Sequence, residues 1–128
     1  MNFLKKFSNT PANQPINTEP PEDTIPDGIV SFTETEDTIT YHLSGRIDVN
    51  NFESVQNQVL QTQKINIILD TSKVTYLSSA GLKMLLEIKK ACDARGVSHQ
   101  IINMTENVYR ILKMTGFTSI LSVTKIDE

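Results

Sequence analysis

A short apolar segment in the middle of the chain constrains the fold more than any other feature. Residues 65–69 read INIIL, apolar except for Asn66, and Asp70 follows them. A run this short and this apolar is typical of a β-strand that is covered on both faces. We therefore expect a central strand at this position, with other elements packed around it.

Residues upstream of this segment alternate between apolar and polar. Two such runs, near residues 30–32 and 39–43, predict two strands that each have one buried face. A short acidic turn at residues 34–37 joins them, and residues 44–46 end the second strand. The side chains predicted to be buried are Val30, Phe32, Ile39, Tyr41 and Leu43.

Three segments carry apolar residues at helical spacing. At the start of the first, Asn50 and Glu53 have the spacing of a capping pair. The second is expected to run from Ser79 to Arg95, with Gly96 as a left-handed terminating residue. The third begins near Thr105, a frequent capping residue type. The apolar faces comprise Phe52, Val55, Val59 and Leu60, then Leu82, Leu85, Leu86 and Ile88, and finally Val108, Ile111 and Leu112.

Two more strands are expected after the second and third helices, at residues 98–102 and 120–123. The predicted order of elements is therefore ββαβαβαβ. Strands separated by helices pair in parallel through right-handed crossovers, while the first two strands add an antiparallel edge. The sequence thus predicts one α/β domain with a mixed, mostly parallel sheet.

The beginning of the chain differs in composition from the rest. All five prolines lie at or before Pro26, and the residues between them are mainly Asn, Gln, Thr and acidic residues. Such a segment buries little, so residues 1–27 are expected to form a flexible tail and residues 28–128 the folded domain. The first seven residues, MNFLKKF, are basic and amphipathic but lack the apolar core of a signal peptide. They are either a weak contact to a membrane or partner, or an ordinary disordered terminus.

Composition and charge exclude several classes of function. Hydrophobic residues make up 38% of the chain and charged residues 21%, as in globular domains. The net charge of -3 argues against binding to nucleic acid, and no apolar run is long enough to span a bilayer. The single cysteine excludes an internal disulfide framework. These properties predict a cytoplasmic protein.

The turn of small residues ahead of the second helix is the most informative segment for function. Ser78, Ser79, Ala80 and Gly81 follow the central strand and leave the free N–H groups of the helix uncrowded. Open α/β sheets place ligands at this end of a strand. A phosphorylated serine here would be tolerated by the helix dipole but would exclude a partner from the turn. The alternative is that Ser78 or Ser79 serves only as an N-cap.

Three motifs together resemble the STAS domain family of anti-sigma-factor antagonists and their relatives. Residues 76–82, YLSSAGL, are similar to the family's signature, and residues 43–48, LSGRID, resemble its earlier Gly-x-(Leu/Ile)-Asp segment. Residues 107–117, NVYRILKMTGF, resemble its later helix, which ends in glycine and an apolar residue. The likeness covers about residues 28–124 and implies a STAS-like fold and a regulator that is not an enzyme.

The resemblance also implies roles for individual residues. In such antagonists the serine second before the glycine of the turn accepts the phosphate, and here this is Ser79. The family often has aspartate where this chain has Ser78, so Ser78 is a second candidate acceptor. Asp48, which ends the earlier motif, is implied as a partner contact, and a turn role is the alternative. The implied partner-binding residues are Asp48, Ser78, Ser79, Ala80, Gly81 and Lys83.

Other polar and reactive side chains indicate no further site. Lys83 lies on a basic face of the second helix, which is either merely solvated or steers an acidic partner. Cys92 is expected to fill the core. His42, expected to be exposed, and His99, expected near a surface or strand edge, have no second ligand at metal-binding spacing. No nucleotide-binding loop occurs, so no metal or cofactor is predicted.

By the same resemblance, the chain is expected to act in partner switching. The unphosphorylated form would bind a serine-kinase anti-sigma factor or a related regulatory kinase, phosphorylation of Ser79 would release it, and a serine phosphatase would reset it. The alternative is a non-phosphorylated STAS subunit of a transporter or of a larger signalling assembly. An enzyme with Ser79 as nucleophile is disfavoured, because neither histidine has an evident route to serve as its base.

Overall fold

A computed structural model describes residues 26–126 as five strands and three helices. Their order is the predicted ββαβαβαβ. The strands are β1 (Gly28–Glu34), β2 (Thr38–Ile47), β3 (Asn66–Leu77), β4 (Ser98–Met104) and β5 (Val123–Lys125). The helices are α1 (Phe52–Leu60), α2 (Ser79–Arg95) and α3 (Glu106–Met114), and a 3₁₀ helix (Phe117–Ser119) precedes β5.

The strands form one sheet in the order β1-β2-β3-β4-β5. β1 and β2 are antiparallel, and the pairs β2–β3, β3–β4 and β4–β5 are parallel. Each parallel pair is connected through a helix, as crossover connections require. The mixed, mostly parallel sheet predicted from the sequence is confirmed.

The hydrophobic core lies between the sheet and the three helices, with α2 at its centre. Ile67 and Leu69 of β3 are no more than 1% exposed, and Met84, Leu85 and Ile88 of α2 match them. From Asn66 to Ser72 of β3, buried residues alternate with half-buried ones. Full coverage of both faces, expected from the apolar run, is therefore wrong. One face of β3 is packed and the other is partly open.

Both ends of α2 lie where the sequence places them. Ser78 has extended backbone angles (φ -83°, ψ -179°), and its side chain accepts a hydrogen bond from the Gly81 N–H. At the other end Gly96 is left-handed (φ 73°) and its N–H bonds to the carbonyls of Asp93 and Cys92. Local signals at each end thus account for the bounds of this helix.

The starts of the other two helices depart from the predicted capping. Asn51, not Asn50, precedes α1, and its side chain bonds back to the end of β2 instead of to the helix. The predicted capping pair of Asn50 and Glu53 is therefore wrong. Thr105 does precede α3, but its side chain makes no capping hydrogen bond.

The first strand does not bury the face predicted for it. Val30 is 44% exposed and Phe32 is 54% exposed. β1 lies at the edge of the sheet, and its pairing register with β2 shifts between Ile29 and Ser31. Phe32 packs beside the Tyr41 ring at 6.2 Å and borders an open cavity of about 460 Å³ next to α1. Since none of the helices described in residues 26–126 covers this part of β1, its apolar side chains are accessible in the described structure.

The remaining strand bounds differ from the predicted ones in length or position. β3 continues past Asp70 to Leu77, and β4 continues to Met104. The last strand is three residues long and begins at Val123, where the predicted strand was to end. The residues before it, predicted to be in the strand, follow the 3₁₀ helix.

The predicted tail of residues 1–27 lies outside the described residues except for Pro26 and Asp27. The Asp27 carboxylate accepts a hydrogen bond from the Arg46 N–H at 2.9 Å, which ties the start of the described chain to β2. No helix within residues 26–126 is both long and apolar enough to cross a membrane.

Candidate functional site

The carboxyl ends of β2 and β3 bring the two predicted functional segments together. Ile47 and Leu77, the last residues of these parallel strands, are paired in register. The Ser78 N–H then donates to the Ile47 carbonyl oxygen at 3.1 Å. As a result, Asp48, which follows Ile47, lies beside the turn that starts α2.

Gly81 holds this arrangement together through close packing. It is buried, and a Cβ atom placed on it would lie 2.6 Å from the Ile47 carbonyl oxygen. Real Cβ atoms do not approach a backbone oxygen so closely, so the first turn of α2 can rest on the end of β2 only with glycine here. The role of Gly81 is therefore to bring the turn and the Asp48 loop into contact.

The two serines of the turn have different structural roles. The half-buried Ser78 hydroxyl caps α2 by accepting the Gly81 N–H at 3.3 Å. Ser79 is the first residue of the helix and is exposed, and its hydroxyl makes no hydrogen bond within residues 26–126. Because the capping role is filled by Ser78, the Ser79 hydroxyl is available to another molecule.

Asp48 stabilises the turn ahead of α1. This is the role that the sequence offered as the alternative to a partner contact. One carboxylate oxygen accepts the Asn50 N–H at 3.0 Å, and its backbone carbonyl accepts the N–H of Phe52, the first residue of α1. The other carboxylate oxygen lies 3.5 Å from the Arg46 Nε. The Asp48 side chain is 18% exposed, so it orders the loop and still borders the surface.

The charges around the turn favour an anion. The first turn of α2 carries no acidic side chain of its own, and the neighbouring Asp48 carboxylate is paired with Arg46. Lys83 is exposed one helical turn after Ser79. Ala80 between them is half-buried and small. A phosphate on Ser79 would be compatible with this helix start.

Three residues beside the turn were not recognised from the sequence. Val49, after Asp48, is 71% exposed, and Tyr76, two residues before Ser78, is 39% exposed. The Arg46 guanidinium lies 4.6 Å from the centre of the Tyr76 ring. Val49 and Tyr76 are each close in the chain to one of the two segments that meet here, and exposed apolar side chains are common in contact surfaces. Only the pairing of β2 with β3 brings these residues together, and no spacing in the sequence indicates it.

The two histidines lie away from this turn. His42, expected to be exposed, is half-buried and its Nδ1 pairs with Asp70 at 2.8 Å. Burial would raise the pKa of Asp70, but hydrogen bonds from the Ser72 N–H, His42 and Asn103 hold it below its usual value. His99, expected near a surface, is partly covered, and its Nε2 is buried without a hydrogen-bond partner in the described chain.

No other chemical site stands out in the described part of the chain. Cys92 is fully buried, as expected, and burial raises the pKa of its thiol. Residues 26–126 contain no group of three His, Cys, Asp or Glu side chains placed to hold a metal ion. The turn at Ser78–Gly81 with its neighbours is therefore the candidate functional site.

The fold and this site define an α/β domain that presents an exposed serine at a helix start, beside a partly apolar surface. Comparison with known families identifies the family of this fold. The family model of the STAS domain matches residues 30–128. The chain belongs to the STAS domain family.

One curated relative is the anti-sigma-B factor antagonist of Bacillus subtilis (strain 168). It is 24% identical over 101 residues, which cover 77% of this chain and 93% of the relative. The domain is thus similar to anti-sigma-factor antagonists along nearly the whole length of this relative.

Solved structures with the same fold include regulators and a transporter-family protein. A putative anti-sigma factor antagonist from Thermotoga maritima has a TM-score of 0.68 at 19% identity, over 74% of this chain and 85% of the other. A sulfate transporter family protein from Wolinella succinogenes has a TM-score of 0.64 at 18% identity, over 72% and 80%. The Bacillus cell fate determinant SpoIIAA in its phosphorylated form has a TM-score of 0.56 at 16% identity, over 73% and 90%.

Proposed function

We propose that this chain is a partner-switching regulator whose switch is the Ser79 hydroxyl. In the unphosphorylated state it binds a serine-kinase anti-sigma factor or a related regulatory kinase through the turn and its surroundings. Phosphorylation of Ser79 by that kinase releases the complex, and a serine phosphatase restores the binding state. The chain supplies a hydroxyl and a docking surface, while the kinase supplies nucleotide and catalysis.

The observation that carries this proposal is that the two serines have different structural roles. Ser78 caps the helix, so modification of Ser79 leaves the capping hydrogen bond intact. The Ser79 side chain is exposed at the positive end of α2, where a phosphate is favoured. Two relatives support the same function: a curated antagonist of anti-sigma-B factor and a protein of this fold that exists in a phosphorylated form.

The release step follows from charge and size at the contact surface. Phosphorylation adds about -1.5 to -2 charges at neutral pH together with three hydrated acceptor oxygens. A partner packed on Ser79, Val49 and Tyr76 would have to desolvate that group or withdraw from it. The exposed apolar side chains make the unmodified surface suitable for docking, and the phosphate makes it unsuitable.

Phosphorylation of the full chain by a serine-kinase anti-sigma factor from the same organism tests this proposal. With Mg²⁺ and ATP, phosphopeptide mass spectrometry should locate one phosphate on Ser79 in the native chain and in Ser78→Ala. Ser79→Ala should remain unmodified. Phosphate on Ser78 in the native chain, or none on a chain that this kinase binds, would contradict the assignment.

A second candidate function is a constitutive STAS subunit of a transporter or of a larger assembly. The observation in its favour is the shared fold with a sulfate transporter family protein. In that case the chain would purify with transporter components from its own cells, and neither Ser78 nor Ser79 would carry phosphate.

A further inference from the structure

Lys83 lies one helical turn after Ser79 on the exposed side of α2. Ser79 is the first residue of the helix and Lys83 the fifth, which is the i,i+4 spacing, and both side chains are exposed. Residues at this spacing are neighbours on a helix surface. An anionic residue placed four positions before a lysine is the more favourable orientation of such a pair, because it also agrees with the helix dipole.

Within residues 26–126, Arg46 and Lys83 are cationic side chains near the turn, and Arg46 has a counter-ion in this part of the chain whereas Lys83 has none. Arg46 lies 3.5 Å from the Asp48 carboxylate and stacks over the Tyr76 ring at 4.6 Å. Lys83 has no carboxylate within 4.0 Å among residues 26–126. A new anion on Ser79 would therefore meet one cation that is already paired and one that is not.

The other charged groups around Lys83 within residues 26–126 form no ion pair with it. It borders an open polar cavity of about 450 Å³ between α1 and α2, together with Glu53 of α1 and Glu87 of α2. Glu87 already pairs with Lys90 at 3.9 Å. Asp48 lies beside the same turn but is held by Arg46 and by the Asn50 N–H. None of these carboxylates lies within 4.0 Å of the Lys83 ammonium group.

We propose that Lys83 is the counter-ion of the phosphorylated Ser79 side chain. The phosphate, formed by the switch proposed above and therefore dependent on that proposal, pairs with the Lys83 ammonium along the exposed side of α2. The modification then changes the docking surface twice: it adds negative charge at Ser79 and it withdraws a free lysine from an acidic partner. The Ser79–Lys83 pair partly neutralises the phosphate charge and keeps the modified helix start folded.

A titration of the phosphate itself tests the pairing without any kinase. Phosphoserine is inserted at position 79 of the full chain during translation, and ³¹P NMR follows its second ionisation as the pH changes. In the unfolded chain this pKa is about 6. In the folded chain this phosphate pKa should be lower, because the Lys83 ammonium stabilises the dianion. Lys83→Gln should raise the pKa again, which corresponds to about a twofold decrease in the proton dissociation constant.

Three further variants decide which cation is responsible. Lys83→Arg should leave the phosphate pKa unchanged, because the positive charge remains. Lys90→Gln should also leave it unchanged, because Lys90 is eleven residues from Ser79, about 16 Å along the helix. Salt at about 1 M should remove the difference in phosphate pKa between the phosphoserine chain with Lys83 and the phosphoserine chain with Lys83→Gln. An unchanged value in Lys83→Gln, or a change in Arg46→Gln instead, would overturn the proposal. Failure of the chain to bind any kinase would leave this titration unaffected, so the two proposals fail separately.

Discussion

At the scale of single residues, Ser78 and Ser79 show why adjacent residues of one type need not share a role. The extended backbone of Ser78 turns its hydroxyl towards the Gly81 N–H, whereas Ser79 already belongs to the helix. The sequence predicts a serine cap here but leaves both serines as candidates, because an N-cap is distinguished by backbone angles. The contact of Gly81 with Ile47 depends on tertiary packing, and local residue patterns do not indicate it.

The two serines should therefore respond differently to removal of the hydroxyl. Ser78→Ala should lower the free energy of unfolding by about 1 kcal/mol, since a capping hydrogen bond is lost. Ser79→Ala should change it by less than about 0.5 kcal/mol, as is usual for exposed positions without partners. Because the chain has no tryptophan, urea unfolding followed by far-UV circular dichroism is the suitable measurement. Equal losses in both variants would show that the structural roles are assigned wrongly.

At the scale of elements, the ends of α2 were easier to predict than the ends of the strands. α2 carries a capping serine and a terminal glycine, and its bounds agree with the prediction. β3 continues past Asp70 because its polar residues find partners on neighbouring strands. The Asp70 carboxylate pairs with His42, and the Thr71 hydroxyl donates to the Ile102 carbonyl at 3.0 Å. Such partners are distant in sequence, so a polar residue looked like the end of the strand.

The contact between β4 and α2 contains a histidine with an unusual pKa. Burial, reinforced by the nearby Lys89 ammonium and opposed by Asp93, lowers the pKa of His99 from 6.5 to about 4. The unfolded chain therefore takes up a proton on this residue at a higher pH than the folded chain does. The stability contributed by neutral His99 is complete above about pH 6.5 and is lost as the pH falls towards 4.

This contact should make the domain sensitive to mild acid. Between pH 6.5 and 4 the free energy of unfolding should fall by about 2 to 3 kcal/mol on account of His99. His99→Leu should remove most of that slope, while Lys89→Gln should keep most of it, because burial is the larger cause. Asp70, whose pKa is lowered from 3.8, adds its own loss only at still lower pH. Urea unfolding at a series of pH values measures the slope, and an unchanged slope in His99→Leu would rule out this origin.

At the scale of the whole molecule, the order of elements was predictable from the sequence and the proposed contact surface was not. Periods of two and 3.6 residues distinguish strands from helices, and crossover connections then require a mostly parallel sheet. The surface at Val49 and Tyr76 arises only when β2 and β3 end side by side. The exposed edge strand β1 likewise could not be foreseen, since alternation marks an apolar face without showing whether a helix covers it.

The central claim is tested most directly by comparing two affinities for the serine-kinase anti-sigma factor proposed as the partner. One is the affinity of the full native chain, and the other is that of the chain with phosphate on Ser79. Isothermal titration should show binding at least about tenfold weaker for phosphoserine at position 79, because the added charge and bulk lie in the contact. Phosphoserine at position 98 is the matched control, since Ser98 is exposed at the amino end of β4, away from the turn. It should leave the affinity unchanged. Equal binding by the native chain and the chain modified at Ser79 would contradict the account.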